Sequence, residues 1–222
     1  MSAALHCRAL LFDLDGVLAD STASVVHHWR AWAARHGLDG DALIRVVHGR
    51  RAIDIIREAA PALDAGAELA ALAAAESADT VGVEAMPGAA ALLARLPVGH
   101  WAVVTSGTRA VALARLRAGA LPVPPLLVAA DEIERGKPDP EGYLTAARRL
   151  TEAPADCVVI EDAPAGVAAA RAAGMRCVAL TTTHEAAALA GADLIVPTLA
   201  ALRVEVAPAG VGAPVFTLTA QL

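Results

Sequence analysis

Four short segments hold residue types that could together move a phosphoryl group: Asp13-Leu14-Asp15-Gly16, Thr105-Ser106-Gly107-Thr108, Gly136-Lys137-Pro138 and Glu161-Asp162. Two acidic pairs in one site repel each other unless a cation lies between them, and carboxylate oxygens select a hard ion. With so few carboxylates, Mg2+ that keeps waters and a substrate phosphate among its ligands fits better than a fully caged Ca2+. Ser106, Gly107 and Thr108 at a helix start offer hydroxyl and N–H donors to an anion. Lys137 adds a point charge for the same anion and offsets the negative charge of a nucleophile. An anion site, a metal and a carboxylate nucleophile describe transfer through an aspartyl-phosphate.

Taken singly, each segment has a plainer explanation. Asp-X-Asp-Gly after an apolar run is a common turn, Ser-Gly-Thr caps a helix, Gly-Lys-Pro is a solvated loop, and Glu161-Asp162 before Pro164 suits the positive end of a helix. Their order along the chain is what carries the reading. Short apolar runs of strand character recur at 8–12, 101–105, 126–130, 157–160, Arg176–Leu180 and 193–196. Stretches of helical period lie between them at 88–96, 108–118, 140–150, 164–173 and 185–190. Apolar strands joined by crossover helices predict a doubly wound, mostly parallel α/β sheet covered on both faces. In such a sheet ligands gather beyond the carboxyl ends of the strands. Each of the four segments follows a successive strand to that edge.

Residues 21–84 break the alternation, with helical patterns at 21–36, 42–47, 52–60 and Ala65–Ala78 and no convincing strand. They read as a helical domain inserted into a core made of 1–20 and 85–204, with Met86-Pro87-Gly88 marking the return. Residues 205–222, with Pro208, Gly210, Gly212 and Pro214, read as a poorly packed extension.

The chain has 222 residues, and at about 100–200 residues per domain this suits one core with a modest insert. Hydrophobic residues make up 56% and charged residues 19%, enough apolar material to exclude a mainly disordered chain. Eighteen Lys+Arg against 24 Asp+Glu, with no basic run, leave no counter-surface for nucleic acid or an anionic membrane. No apolar stretch reaches the ~18 residues that span a bilayer. Asp13 and Asp15 follow the first apolar run at once, so no signal peptide is expected, and the cytoplasm is the expected compartment. Cys7, Cys157 and Cys177 are widely spaced and read as small buried hydrophobes. A monomer acting on a small-molecule ester is expected.

Over residues 9–203 the chain resembles the haloacid dehalogenase-like (HAD) hydrolases, through DLDGVL (13–18), VVTSGT (103–108), GKPDPEGY (136–143) and VIEDAPAG (159–166). The resemblance implies Asp13 as nucleophile and metal ligand. It implies Asp15 as general acid and base, with its backbone carbonyl also on the metal. Ser106 and the Gly107 amide would hold the phosphoryl group, Lys137 would clamp it, and Asp162 would ligate Mg2+ with Glu161 in support. The insert after Asp20 matches the helical cap of one subgroup, and a carboxylate at position 15 favours phosphatase or phosphomutase over dehalogenase.

WAVVTSGTR (101–109), His48-Gly49-Arg50-Arg51 and Trp29-Arg30 look like the glycerol-3-phosphatase and 2-deoxyglucose-6-phosphate phosphatase group. The expected function is hydrolysis of small polyol or sugar phosphate monoesters. Thr105, Arg109, His48, Arg50 and Arg51 are the expected substrate contacts. Trp29 and Trp32, three apart on one helical face, are expected to pack in a core. A β-phosphoglucomutase-like isomerase and a catalytically idle binding relative are the alternatives. Steady phosphate release without a bisphosphate activator would separate the first from a phosphatase.

Overall fold

A computed structural model describes residues 4–207 and 214–221. The chain opens with β1 (Leu5–Cys7) and β2 (Ala9–Phe12), then a two-residue strand, β3 (Ala19–Asp20). Four helices follow: α1 (Thr22–Arg35), α2 (Gly40–Val47), α3 (Ala52–Ala59) and α4 (Ala65–Ala78). After β4 (Glu84–Ala85) comes an alternating run of α5 (Ala89–Leu93), β5 (Trp101–Val104), α6 (Arg109–Ala118), β6 (Leu127–Val128), α7 (Glu141–Leu150), β7 (Cys157–Glu161), α8 (Pro164–Ala172), β8 (Arg176–Leu180) and β9 (Leu194–Val196). Strands β10 (Leu202–Ala207) and β11 (Val215–Ala220) complete it.

The main sheet has the order β6-β5-β2-β7-β8-β9 and is parallel throughout. Its central strands are buried on both faces, and period two sorts their side chains into two cores. Leu10, Phe12, Trp101, Val103, Val158, Ile160, Val178 and Leu180 face one side. Ala9, Leu11, Ala102, Val104, Cys157, Val159, Cys177 and Ala179 face the other. All three cysteines are free and buried, and burial raises the Cys7 and Cys157 thiols to about 12. They are inert core residues.

The four-helix insert has its own apolar centre, with Trp29, Trp32, Leu43, Val47, Ile55, Ile56 and Leu72 buried together. The two tryptophans meet edge to face at 5.6 Å, as their spacing predicted. Of the histidines on α1 and at its end, His36 lies against Trp32 and Glu68, and buried His28 hydrogen-bonds the Asp79 carbonyl. Where the insert leaves and rejoins the core, β3 and β4 pair antiparallel, and Met86 N donates to Leu18 O at 2.8 Å. Sequence reading found no strand there, because two residues are too few to show a period.

The carboxyl-terminal segment corrects an expectation. Strand β11 runs antiparallel between β1 and β10, forming a second sheet. Phe216 and Leu218 are fully buried and join the first core with Leu5 and Val204. Residues 208–213 lie outside the described ones, so Pro208, Gly210 and Gly212 are not placed. Among the described residues no helix is long and apolar enough to cross a membrane.

Candidate active site

Strands β2 and β7 are neighbours in register, Phe12 beside Ile160, so the residues that follow them emerge side by side. Asp13 and Asp162 are 4% and 2% exposed. One oxygen from each of Asp13, Glu161 and Asp162 lies within 4.8 Å of the others. Lys137, carried by the loop after β6, donates from Nζ to Asp13 Oδ1 at 2.5 Å, Glu161 Oε1 at 2.6 Å and the Val104 carbonyl at 3.3 Å. Its three N–H donors are thereby used. Burial disfavours the charged ammonium, but the two carboxylates outweigh it and raise its proton affinity.

The carboxylates divide according to their partners. Burial lifts Asp13 to about 7, and burial with the neighbouring Glu161 charge pushes Asp162 well above the carboxylate range. Burial also opposes the Glu161 charge, yet Lys137 prevails and its proton affinity falls. Glu161 accepts from Lys137 and Tyr143 Oη on Oε1 and from the Asp162 and Ala163 amides on Oε2. These four donors fix Glu161 in place, where it anchors Lys137 and has an oxygen within 4.8 Å of those of Asp13 and Asp162. Asp162 accepts from the Thr183 hydroxyl at the end of β8. Gly16, at φ +80°, packs so tightly on Asp162 that a Cβ would come within 2.1 Å of Oδ2.

Asp15 lies half-buried beside this group, with Ser21 Oγ donating to Oδ1 at 2.6 Å and Arg115 Nη1 to Oδ2 at 2.7 Å. Arg115 also donates from Nη2 to Glu76 of α4 at 3.0 Å. Lys137 thus pairs with Asp13 and Glu161 and Arg115 with Asp15 and Glu76, while Asp162 bonds to neither, so five carboxyl groups meet two cations. That negative surplus and the all-oxygen donor set fit a hard divalent cation at Asp13 and Asp162.

Thr105 Oγ1 accepts from Gly107 N at 3.0 Å and shapes the turn before α6, and Thr108 Oγ1 caps that helix at Val111 N. Ser106 Oγ donates to the Gly49 carbonyl of the insert at 2.9 Å. Ser106, Gly107, His48 and Arg50 border a cavity of about 70 Å3 over Asp13, together with Thr22 and Trp29. The His48 Nε2 within it is buried without a partner. Arg50 reaches across to Glu58 at 2.5 Å.

Three expected substrate contacts do not line that cavity: Thr105, which shapes the turn, Arg51 and Arg109. Arg51 forks onto Asp54 at 2.8 and 3.0 Å, donates to the Ile133 carbonyl at 3.0 Å and lies flat against Gly136. It ties insert to core. Arg109 pairs with Glu132 and the Leu127 carbonyl on the outer side of α6. Neither lines the cavity over Asp13. Sequence reading missed Arg115, Glu76, Tyr143 and Thr183. Arg115 shares a helical face with Val111, Ala112 and Leu116, and a cation on a buried stripe implies a carboxylate partner. Thr183 follows a further strand to the same edge. A larger groove of about 1070 Å3 between α5 and β10–β11 includes none of these residues.

Residues 7–174 match the family model described as haloacid dehalogenase-like hydrolase. The chain is 40% identical over 211 residues to hexitol phosphatase A of Escherichia coli (strain K12), covering 93% of this chain and 98% of that enzyme. It is 34% identical over 215 residues to glycerol-1-phosphate phosphohydrolase 2 of Saccharomyces cerevisiae, covering 90% of this chain and 86% of that one. A hydrolase of Pseudomonas syringae superposes with a TM-score of 0.77 at 26% identity, over 86% of this chain and 94% of its own. With its parallel sheet and with carboxylates converging at one edge of it, the chain belongs to the haloacid dehalogenase-like hydrolases.

Proposed function

We propose that the protein is a Mg2+-dependent phosphomonoesterase acting on small polyol or sugar phosphates, with residues 21–84 serving as its cap. The observation that carries this reading is the buried cluster of Asp13, Lys137, Glu161 and Asp162, set beside Ser106 and Gly107 at one sheet edge. Both named relatives, hexitol phosphatase A and glycerol-1-phosphate phosphohydrolase 2, are named for small polyol phosphates, and the cavity over Asp13 offers hydroxyl and imidazole groups from Thr22 and His48 to a polyol.

Asp13 is the nucleophile: its carboxylate oxygen attacks phosphorus, forming an aspartyl-phosphate as the ester P–O bond breaks. Asp15 gives its proton to the departing alkoxide, then takes one from the water that attacks the aspartyl-phosphate. That second attack releases inorganic phosphate and restores Asp13. Ser106 and the Gly107 amide hold the phosphoryl oxygens, and Lys137 offsets their charge from a position fixed by Glu161. Asp13, Asp162 and the Asp15 carbonyl, with Glu161 in support, would hold Mg2+, which would supply positive charge to the phosphate when bound. The cap limits water and selects the alcohol.

The reading is tested by assaying phosphate release from a panel of polyol and sugar phosphates with Mg2+ and no bisphosphate activator. Steady release that stops with a chelator and in Asp13→Asn is expected. No release from any member of the panel, or undiminished release by Asp13→Asn, would overturn it.

A further inference from the structure

Arg115 belongs to none of the four segments that carry the chemistry, yet it is the cation nearest Asp15. It is 4% exposed on the buried face of α6. A guanidinium taken from water this completely must be repaid by charged partners, and a hydrophobic side chain would fill the space at less cost. Its two partners belong to different parts of the molecule. Asp15 follows β2 at the reaction centre, whereas Glu76, 8% exposed, sits in the last turn of α4 in the insert. The planar guanidinium holds both with fixed relative directions, as a flexible ammonium could not.

The second grip on Asp15 also comes from the insert. Ser21 occupies the position that would cap α1, but its hydroxyl makes no cap bond and donates to Asp15 Oδ1 at 2.6 Å. Both oxygens of Asp15 are therefore held by groups whose placement depends on the helices: Ser21 at the foot of α1, and Arg115 through Glu76. A cavity of about 70 Å3 over nearly inaccessible Asp13 and Asp162 admits no sugar phosphate unless the helices first move away. When α4 withdraws, Glu76 leaves Arg115, and the guanidinium loses one of the two anchors that fix its plane.

We propose that Arg115 is a positioning residue that couples docking of α4 to the orientation of Asp15, with Glu76 as the reporter of the docked helix. The proposal rests on Asp15 as the proton donor. Proton transfer is thereby set only while the insert is down over the substrate, when water is excluded.

The test compares kcat/KM for glycerol phosphate, whose alkoxide needs a proton to leave, with p-nitrophenyl phosphate, whose phenolate does not. Asp15→Asn is expected to lower the alkyl-to-aryl ratio by about 10² or more, and Glu76→Gln and Arg115→Ala by about tenfold. Arg115→Lys keeps the charge without the fork and falls between them, and it serves if Arg115→Ala does not fold. A merely structural role would lower both esters together and leave the ratio native. That result in the Glu76 and Arg115 variants, with Asp15→Asn still depressed, overturns the coupling alone. A native ratio in Asp15→Asn overturns the proton-donor reading beneath it. Amide hydrogen exchange across α4 in the metal-free protein gives a readout free of catalysis: Glu76→Gln is expected to speed it, and unchanged exchange would contradict the coupling.

Discussion

At the scale of single residues, the site is a contest between burial and charge, and its sign fixes how the protein responds to pH and metal. Burial raises Asp13 to about 7 and Asp162 well above its ordinary value, so both hold protons more tightly in the folded chain than after unfolding. Without metal, the Asp13 contribution to stability is present at low pH and is lost as pH rises through about 7, and that of Asp162 is lost as pH rises through its own raised value. A divalent cation favours the ionised forms, so the rise in thermal midpoint on adding Mg2+ should be larger near pH 8 than near pH 6. An equal rise at both would contradict the assignment of these carboxylates as ligands. Lys137→Met leaves Asp13 and Glu161 buried without their shared cation and should cost ~3–5 kcal/mol in denaturant unfolding, against little change if the pair were exposed. Asp13, Asp15, Lys137 and Asp162 were legible in the sequence because each follows an apolar strand. Arg115 was not, since its partners lie 39 and 100 residues upstream and no local pattern joins them.

At the scale of elements, the loop His48-Gly49-Arg50 brings the insert onto the turn before α6, where the Gly49 carbonyl accepts from Ser106. Gly49 stands at φ +75°, and a Cβ there would come within 2.8 Å of the Cβ of Ala163, the residue after Asp162. Gly49→Ala must therefore lift the loop and pull the carbonyl from Ser106, and kcat/KM should fall about tenfold with the fold intact by circular dichroism. Native kinetics would show that the loop does not help assemble the site. The helices of the insert were legible from their apolar period. The role of Arg51 was not, because a cation in a loop looks the same in sequence whether it meets a substrate or braces Gly136 and the Ile133 carbonyl. The β3–β4 ribbon, two residues to a strand, left no trace for pattern reading either.

At the scale of the molecule, the parallel sheet brings residues from distant parts of the chain to one edge, and a second sheet closes the opposite end of the chain onto the same core. Strands β10 and β11 do alternate buried and exposed positions in part, but the intervening prolines and glycines dominated the reading of that tail. Phe216→Ala should destabilise the protein by ~3–5 kcal/mol, measured by denaturant unfolding, because the ring is fully buried against the first core; a loss below about 1 kcal/mol would mean the tail is a loose extension after all. In the proposed reaction the phosphoryl group passes through Asp13 at the meeting point of β2 and β7. Acid quenching during turnover, borohydride reduction and peptide mass spectrometry test it directly. Homoserine at position 13 is the predicted result, and reduction at another carboxylate, or at none while phosphate is being released, would contradict it.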